Sequence, residues 1–232
     1  MNEQHIRTQM MLGEEGTERL FAAKIAVFGV GGVGGFVVET LARSNVGYIT
    51  VVDGDVVSES NVNRQIIALS STIGKPKTQV IAQRVYDINP HCVITEINEF
   101  YKGEGIDFSQ YDFVVDCIDD VDAKLAIIGD CAKLDVPVIS SMGTANHFDP
   151  YSFKIADLYE TNTCPLAKRV RSLAQKKGIE KGKVNVLFST EKRASNEFND
   201  NGRILGSTAF CPSIAGILIA HHVVSVLARL GE

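Results

Sequence analysis

With 232 residues, 45% of them hydrophobic and 22% charged, and a mean hydropathy of +0.06, the chain is long and apolar enough to bury a core, which excludes a disordered protein. A formal net charge of −5 and a pI near 5.6 argue against a surface coated for nucleic acid. The five cysteines, Cys92, Cys117, Cys131, Cys164 and Cys211, form no C-x-x-C pair, which argues against structural zinc and a disulfide framework, and the polar residues 1–7 carry no secretory signal, so a cytoplasmic setting is expected.

Residues 24–29 (KIAVFG) predict a short strand ending on glycine, and residues 33–44, with Val37 and Leu41 at helical spacing, predict a helix. A strand at 48–53 (YITVVD) completes a βαβ unit. A helix over 77–88, strands at 92–97 and 112–117, a helix over 121–134 and a strand at 137–141 continue an alternation that predicts a mostly parallel sheet with helices on both faces. Beyond Gly143 the rhythm changes. Strands at 153–158 and 184–190 flank a basic helix with Pro165 in its first turn and are expected as antiparallel additions to the sheet. Residues 191–203 are polar and aperiodic and predict a loop. The most apolar stretch, 214–230, is short for a membrane span and contains His221, His222 and Arg229, so a buried or interfacial helix is expected. The resulting expectation is one α/β, Rossmann-like domain over 1–232, with an N-terminal arm or helix at 1–20, a nucleotide-binding core at 21–145 and an acceptor-binding part with the C-terminal helix at 146–232.

Gly29-Val30-Gly31-Gly32-Val33-Gly34 fits G-x-G-x-x-G between a predicted strand and a predicted helix, where glycines let the backbone approach a phosphate and the helix start supplies unpaired N–H groups. Asp53 follows at about the distance at which an acid accepts hydrogen bonds from ribose hydroxyls. These features alone fit ATP and a nicotinamide dinucleotide equally. Arg64 and Lys77 favour ATP, because attack on an α-phosphate gains from cations that neutralise the departing pyrophosphate, whereas hydride transfer needs no such cluster. Asp119, after the predicted strand at 112–117, stands at the edge where open α/β sheets bind ligands and is a candidate magnesium ligand; N-capping of the next helix by Asp119 or Asp120 is the structural alternative. Lys168, Arg169, Arg171, Lys176, Lys177, Lys181, Lys183, Lys192 and Arg193 face only Glu180 and Glu191 in their segment, a run that can track a phosphate backbone or serve as a solvated helix face.

Taken together, Gly29-x-Gly31-Gly32-Val33-Gly34, Asp53-x-Asp55, Ser60-Asn61-x-x-Arg64-Gln65, Gly74-x-x-Lys77 and Asp116-x-x-Asp119 resemble the signatures of the ubiquitin-activating-enzyme-like adenylyltransferases. The resemblance implies a nucleotide site built on those motifs, with Asp53 on ribose, Asn61, Arg64 and Lys77 on phosphates, and Asp119 on magnesium. It also implies a homodimer in which Arg7, ahead of Leu12-Gly13-Glu14-Glu15-Gly16, reaches the partner's ATP. Gln4, where relatives often carry a further arginine, departs from the pattern.

Within that superfamily the chain is most similar to the tRNA threonylcarbamoyladenosine dehydratases, through Leu41-Ala42-Arg43-Ser44, Ile88-Asn89-Pro90, Asp149-Pro150, Ile155-Ala156-Asp157, Pro165-Leu166-Ala167 and its basic helix, and Gly206-Ser207 with the Pro212 helix. This resemblance implies ATP-dependent adenylation of a threonyl carboxylate beside the tRNA anticodon, then cyclisation with loss of AMP, with Lys168, Arg169, Arg171 and Lys176 as candidate tRNA contacts. A monovalent cation is a further candidate cofactor, and a cysteine desulfurase or sulfur acceptor a further candidate partner. Cys164 replaces an acid found in many relatives; an internal nucleophile needs no enzyme thiol, so it is expected to be non-essential. An adenylyltransferase for the C-terminal carboxylate of a small carrier protein shares the whole ATP site. An NAD(P)-dependent oxidoreductase would leave Arg64, Lys77 and Asp119 without a common purpose, and a nucleotide-binding scaffold would not need them.

Overall fold

The computed structural model describes residues 3–192 and 205–229. Helix α1 (Ile6–Ala22), kinked at Gly13, leads into β1 (Lys24–Phe28), α2 (Gly34–Arg43) and β2 (Tyr48–Val52). After a long connection come α3 (Lys77–Ile88), β3 (Val93–Ile97), β4 (Phe113–Asp116), α4 (Val121–Leu134) and β5 (Val138–Ser141). The chain ends with β6 (Phe153–Asp157), α5 (Pro165–Lys176), β7 (Asn185–Ser189) and α6 (Phe210–Ala228).

The strands form one sheet in the order β3-β2-β1-β4-β5-β7-β6. The register pairs Phe28 with Val52 and with Asp116, and Asp116 with Ser140. Gly29, Asp53 and Cys117 therefore leave the sheet at one shared carboxyl edge. The central strands are short apolar runs because both of their faces are covered. Along β1, Ile25 and Val27 join a core with Leu20, Leu41, Ile81 and Ile219, while Ala26 and Phe28 join a second core with Leu125, Ile128 and Val170. Each large side chain so buried contributes about 1.5–3 kcal/mol.

The expected pair of antiparallel additions is half correct: β6 is antiparallel to β7, but β7 runs parallel to β5. The reason is the path between them. β6 descends to the amino edge, where the Leu158 N–H bonds the Val184 carbonyl, and the chain then climbs so that the Thr163 hydroxyl donates to the Ser189 carbonyl at the carboxyl edge, 3.0 Å away. Helix α5 starts there and returns the chain to the amino edge, so β7 is entered in the parallel sense. The loop expected at 191–203 lies, apart from Glu191 and Lys192, outside the described residues.

Helix α6 carries no Asp, Glu, Lys or Arg and is apolar apart from Ser213, His221, His222 and Ser225; by length and composition alone it is long enough to cross a membrane. It packs on α1 and α2, with Cys211, Ala215, Ile219, Ala220 and Val223 fully buried while Ile217, His221 and Val226 stay exposed, so the helix expected to be buried or interfacial is buried along one side.

Candidate active site

The glycine turn is set by two positions that no side chain tolerates. Gly29 has φ +81°, and a Cβ there would lie 2.9 Å from the Cys117 carbonyl oxygen; a Cβ on Gly34 would lie 1.8 Å from the carbonyl oxygen of Gly29. Such a tight turn points the first amides of α2 along the carboxyl edge.

Three segments border this turn. On one side the residue 61–66 turn brings the Arg64 Cγ to 3.5 Å from a Cβ built on Gly32, and the Gln65 amide nitrogen to 3.7 Å from one built on Gly31. On the other side the chain after β4 lays Ile118 against Gly29, which places Asp119 on the adjoining residue. Across the edge, Asp53 accepts the Val30 N–H with one oxygen and the Asp55 N–H with the other, both at 2.8 Å. From Asp55 the connection runs on to α3: Asp55 Oδ2 accepts from Lys77 Nζ at 2.8 Å, and the Lys77 N–H bonds the Asp55 carbonyl at 3.0 Å.

The predicted binding residues thus lie on adjoining stretches of chain. The Arg64 guanidinium is steadied by the Ser60 carbonyl and the Asn63 side chain. Asn61 is buried and closes a capping box with Ser58, so its side-chain oxygen accepts the Ser58 N–H while its amide nitrogen bonds nothing among the described residues. Gln65 is buried, and its amide oxygen has no hydrogen-bond partner among the described residues. An orphaned buried acceptor costs about 1–3 kcal/mol, a cost that a ligand or water donor would remove. Asp119 is exposed and makes no ion pair or side-chain hydrogen bond among the described residues, whereas Asp120 is the N-cap of α4 through the Ala123 N–H. Beside Gly54 a cavity of about 530 Å³ opens between the ends of β2 and β3, lined by Val52, Ile97, Asn98 and Tyr101 among others, within the size range of ligand pockets.

Arg7 is elsewhere. It is exposed in the first turn of α1, close to Gln4, whose side chain donates to the Ile88 carbonyl at the amino edge of the sheet. It lies at the opposite edge from its own glycine turn.

The family model of the ThiF family matches residues 3–232, almost the whole chain. The chain belongs to the ThiF family. A curated relative, the tRNA threonylcarbamoyladenosine dehydratase of Bacillus subtilis, is 43% identical over 99% of this chain and 96% of its own length. Two crystal structures of the Escherichia coli tRNA N6-threonylcarbamoyladenosine dehydratase, TcdA, superpose closely. The complex with ATP has a TM-score of 0.89 at 31% identity, covering 99% of this chain and 97% of that one; the complex with AMP has a TM-score of 0.88 at 31% identity, covering 96% and 93%.

This ThiF-family site also holds residues that the sequence motifs do not reveal. Lys124, fully buried on α4, donates to Asp116 Oδ2 and to the Ser141 carbonyl, both at 2.8 Å, and to the Ser140 hydroxyl at 3.2 Å. Asp116, also fully buried, accepts the Ile118 N–H with its other oxygen. The network ties the ends of β4 and β5 to α4 and fixes the turn that carries Asp119. In sequence the only hint is a lysine eight residues after Asp116, on an otherwise apolar stretch of α4.

The side chains of the basic segment divide. Arg171 turns its guanidinium onto Thr161, where the carbonyl accepts at 2.7 Å and the hydroxyl accepts as well, so it braces the start of α5; Lys181 and Lys183 are paired with Glu160 and Asp135. Lys168, Arg169, Lys176 and Lys177 stay exposed without an acidic partner among the described residues; Arg193 lies outside them. Cys164 is buried in the second core beneath the first turn of α5, not an open, electropositive place suited to a reactive thiol. Burial pushes the Cys92 thiol up to about 11, the Cys131 thiol up to about 12, and those of Cys117 and Cys211 upward as well.

Proposed function

We propose that the chain adenylates the threonyl carboxylate of threonylcarbamoyladenosine beside the tRNA anticodon and then cyclises it. The observation that carries this reading is the meeting of the 61–66 turn, Asp53 and the 117–119 segment around one glycine turn, in a chain that matches the tRNA dehydratases over nearly its full length. That full-length match and the cations of α5 that have no acidic partner among the described residues favour tRNA over a small carrier protein as acceptor.

In this reading a carboxylate oxygen attacks the α-phosphorus, the bond to pyrophosphate breaks, and an internal nucleophile of the threonylcarbamoyl group then displaces AMP. The carboxylate oxygen leaves with AMP, so the nucleoside loses one water overall. The amides of the glycine turn receive phosphate oxygens. Asp53 keeps its two backbone bonds and offers its remaining lone pairs to the ribose hydroxyls. Lys77 holds Asp55 with one N–H and has two more for phosphate, while Arg64 directs the rest of its fork, and Asn61 its amide nitrogen, to the same group.

Magnesium fits the donor set here as a phosphate-held ion: Asp119 is an exposed carboxylate whose neighbour Asp120 is engaged as the cap of α4, and no group of three or more His, Cys, Asp or Glu ligands occurs among the described residues. Bound there, the ion would neutralise charge developing on the leaving pyrophosphate. The test is direct: with ATP, magnesium and tRNA bearing the threonylcarbamoyl group, the nucleoside loses the mass of one water and AMP and pyrophosphate appear in equal amounts. Intact nucleoside mass with no AMP rejects the proposal.

Because Arg7 lies at the far edge from its own glycine turn, any role in adenylation is supplied across a dimer. Subunits carrying Arg7→Ala and Lys77→Ala, each inactive alone, complement when mixed, since one of the two sites in a heterodimer is intact; random exchange recovers about a quarter of wild-type turnover. No recovery in confirmed heterodimers removes Arg7 from the site.

Removing Lys168, Arg169 and Lys176 together weakens tRNA binding, and the slope of log affinity against log salt flattens by roughly 0.7 to 0.9 for each phosphate that is no longer neutralised. An unchanged slope points to a protein acceptor instead.

A further inference from the structure

Two exposed phenylalanines stand together near the glycine turn, and none of the residues assigned above explains them. Phe148 is 71% exposed and Phe210, the first residue of α6, 39%; their rings meet edge to face with centroids 5.2 Å apart. Large aromatic side chains left in water mark a binding surface when the backbone beneath them is rigid.

Here the backbone is braced from several sides. Glu191 accepts the N–H groups of both Phe148 and Asp149 at 3.0 Å. Asn146 and Gly206 exchange two hydrogen bonds, of 2.9 and 2.7 Å, and the Cys211 thiol donates to the His147 carbonyl. The same segment is joined to the nucleotide site, because Asn63 donates to the Ser207 carbonyl at 3.1 Å and Pro212 lies 3.2 Å from a Cβ built on Gly32. Cations adjoin it as well. Lys192 is exposed next to the Glu191 clamp, and α5 begins at the same end of β7, which puts Lys168 and Arg169 about one turn along that helix.

We propose that Phe148 and Phe210 form a stacking platform for an unpaired nucleobase of the RNA substrate, beside the site where the modified base is adenylated. The inference rests on the tRNA reading above. An exposed aromatic surface flanked by lysine and arginine is the combination that binds single-stranded RNA, since every base has a face to stack while the cations meet its phosphates. A protein partner's apolar side chain would not call for the surrounding cations. The platform fixes one nucleotide of the loop and so limits where the reacting carboxylate can go.

The test compares Phe148→Leu, Phe148→Ala and Phe148→Trp in the full chain, measuring affinity for tRNA bearing the threonylcarbamoyl group, affinity for ATP and oligomeric state. The Leu and Ala variants bind tRNA about 10- to 100-fold more weakly, the Trp variant binds like the wild type, and ATP affinity is unchanged in all three. Wild-type RNA affinity in the Leu variant overturns the platform while leaving the tRNA reading intact, and so does an altered oligomeric state with unaltered RNA affinity. Equal loss in the Leu and Trp variants also overturns it, because stacking is then not the cause. If the wild-type protein neither binds nor modifies the tRNA, the reading itself falls and the platform with it.

Discussion

Replacing Asp119 by Ala lowers magnesium-dependent AMP release by about 100- to 1000-fold, the usual effect of removing a group that stabilises developing transition-state charge. The carboxylate is exposed and bonds nothing among the described residues, so its loss leaves no buried donor stranded. Stability therefore changes by no more than about 0.5 kcal/mol. A denaturation curve alongside a pyrophosphate assay separates the two effects. Wild-type turnover in the Ala variant would remove Asp119 from the chemistry, and a large drop in denaturation midpoint would reassign it to the fold. Its neighbour serves as the control: Asp120 caps α4 through the Ala123 N–H, so Asp120→Ala costs about 1 kcal/mol of stability and leaves the magnesium dependence alone.

Lys124→Met has the opposite signature. Lys124 and Asp116 are both fully buried, and deleting the ammonium leaves a carboxylate in the core without its counter-charge, a loss of roughly 3–5 kcal/mol. That is a large part of the total stability of an ordinary domain, and it shows as a lower midpoint in urea at unchanged slope. The double variant Asp116→Asn with Lys124→Met recovers much of the loss, because no uncompensated charge remains. If the single variant is as stable as the wild type, the network is not holding β4, β5 and α4 together. A further consequence concerns the site: with Asp116 free to shift, the turn carrying Asp119 loses its anchor at the Ile118 N–H, so nucleotide affinity falls even before the protein unfolds.

The central part of the fold is legible in the sequence because its elements announce themselves locally. KIAVF and YITVV are short runs buried on both faces, and the spans of α3 and α4 follow from helical spacing between turn residues. The glycine turn is legible for the same reason: Gly29 and Gly34 are required by a left-handed φ and by backbone crowding that only glycine escapes. What is not legible depends on partners far along the chain. The direction of β7 is decided by where residues 158–164 travel, and no local pattern records that path. Lys124 looks like a surface lysine beside Asp122 until the register sets Asp116 next to Ser140 and creates a polar slot beneath α4. Arg171 belongs by composition to a basic helix face, yet its geometry gives it to Thr161. The pairing of Phe148 with Phe210 likewise depends on contacts between loops distant in sequence, such as the Asn146–Gly206 bonds and the Cys211 thiol on the His147 carbonyl.

The two hydrogen bonds that hold the Asp53 carboxylate have a thermodynamic meaning for whatever nucleotide arrives. A free aspartate would have to surrender its rotamers on meeting a sugar, and the complex would be weaker by that loss of freedom. In the ribose-binding role proposed for Asp53, the carboxylate is already immobilised by the Val30 and Asp55 amides before any sugar is present, so the entropic penalty falls on the folding reaction and is absent from the association step.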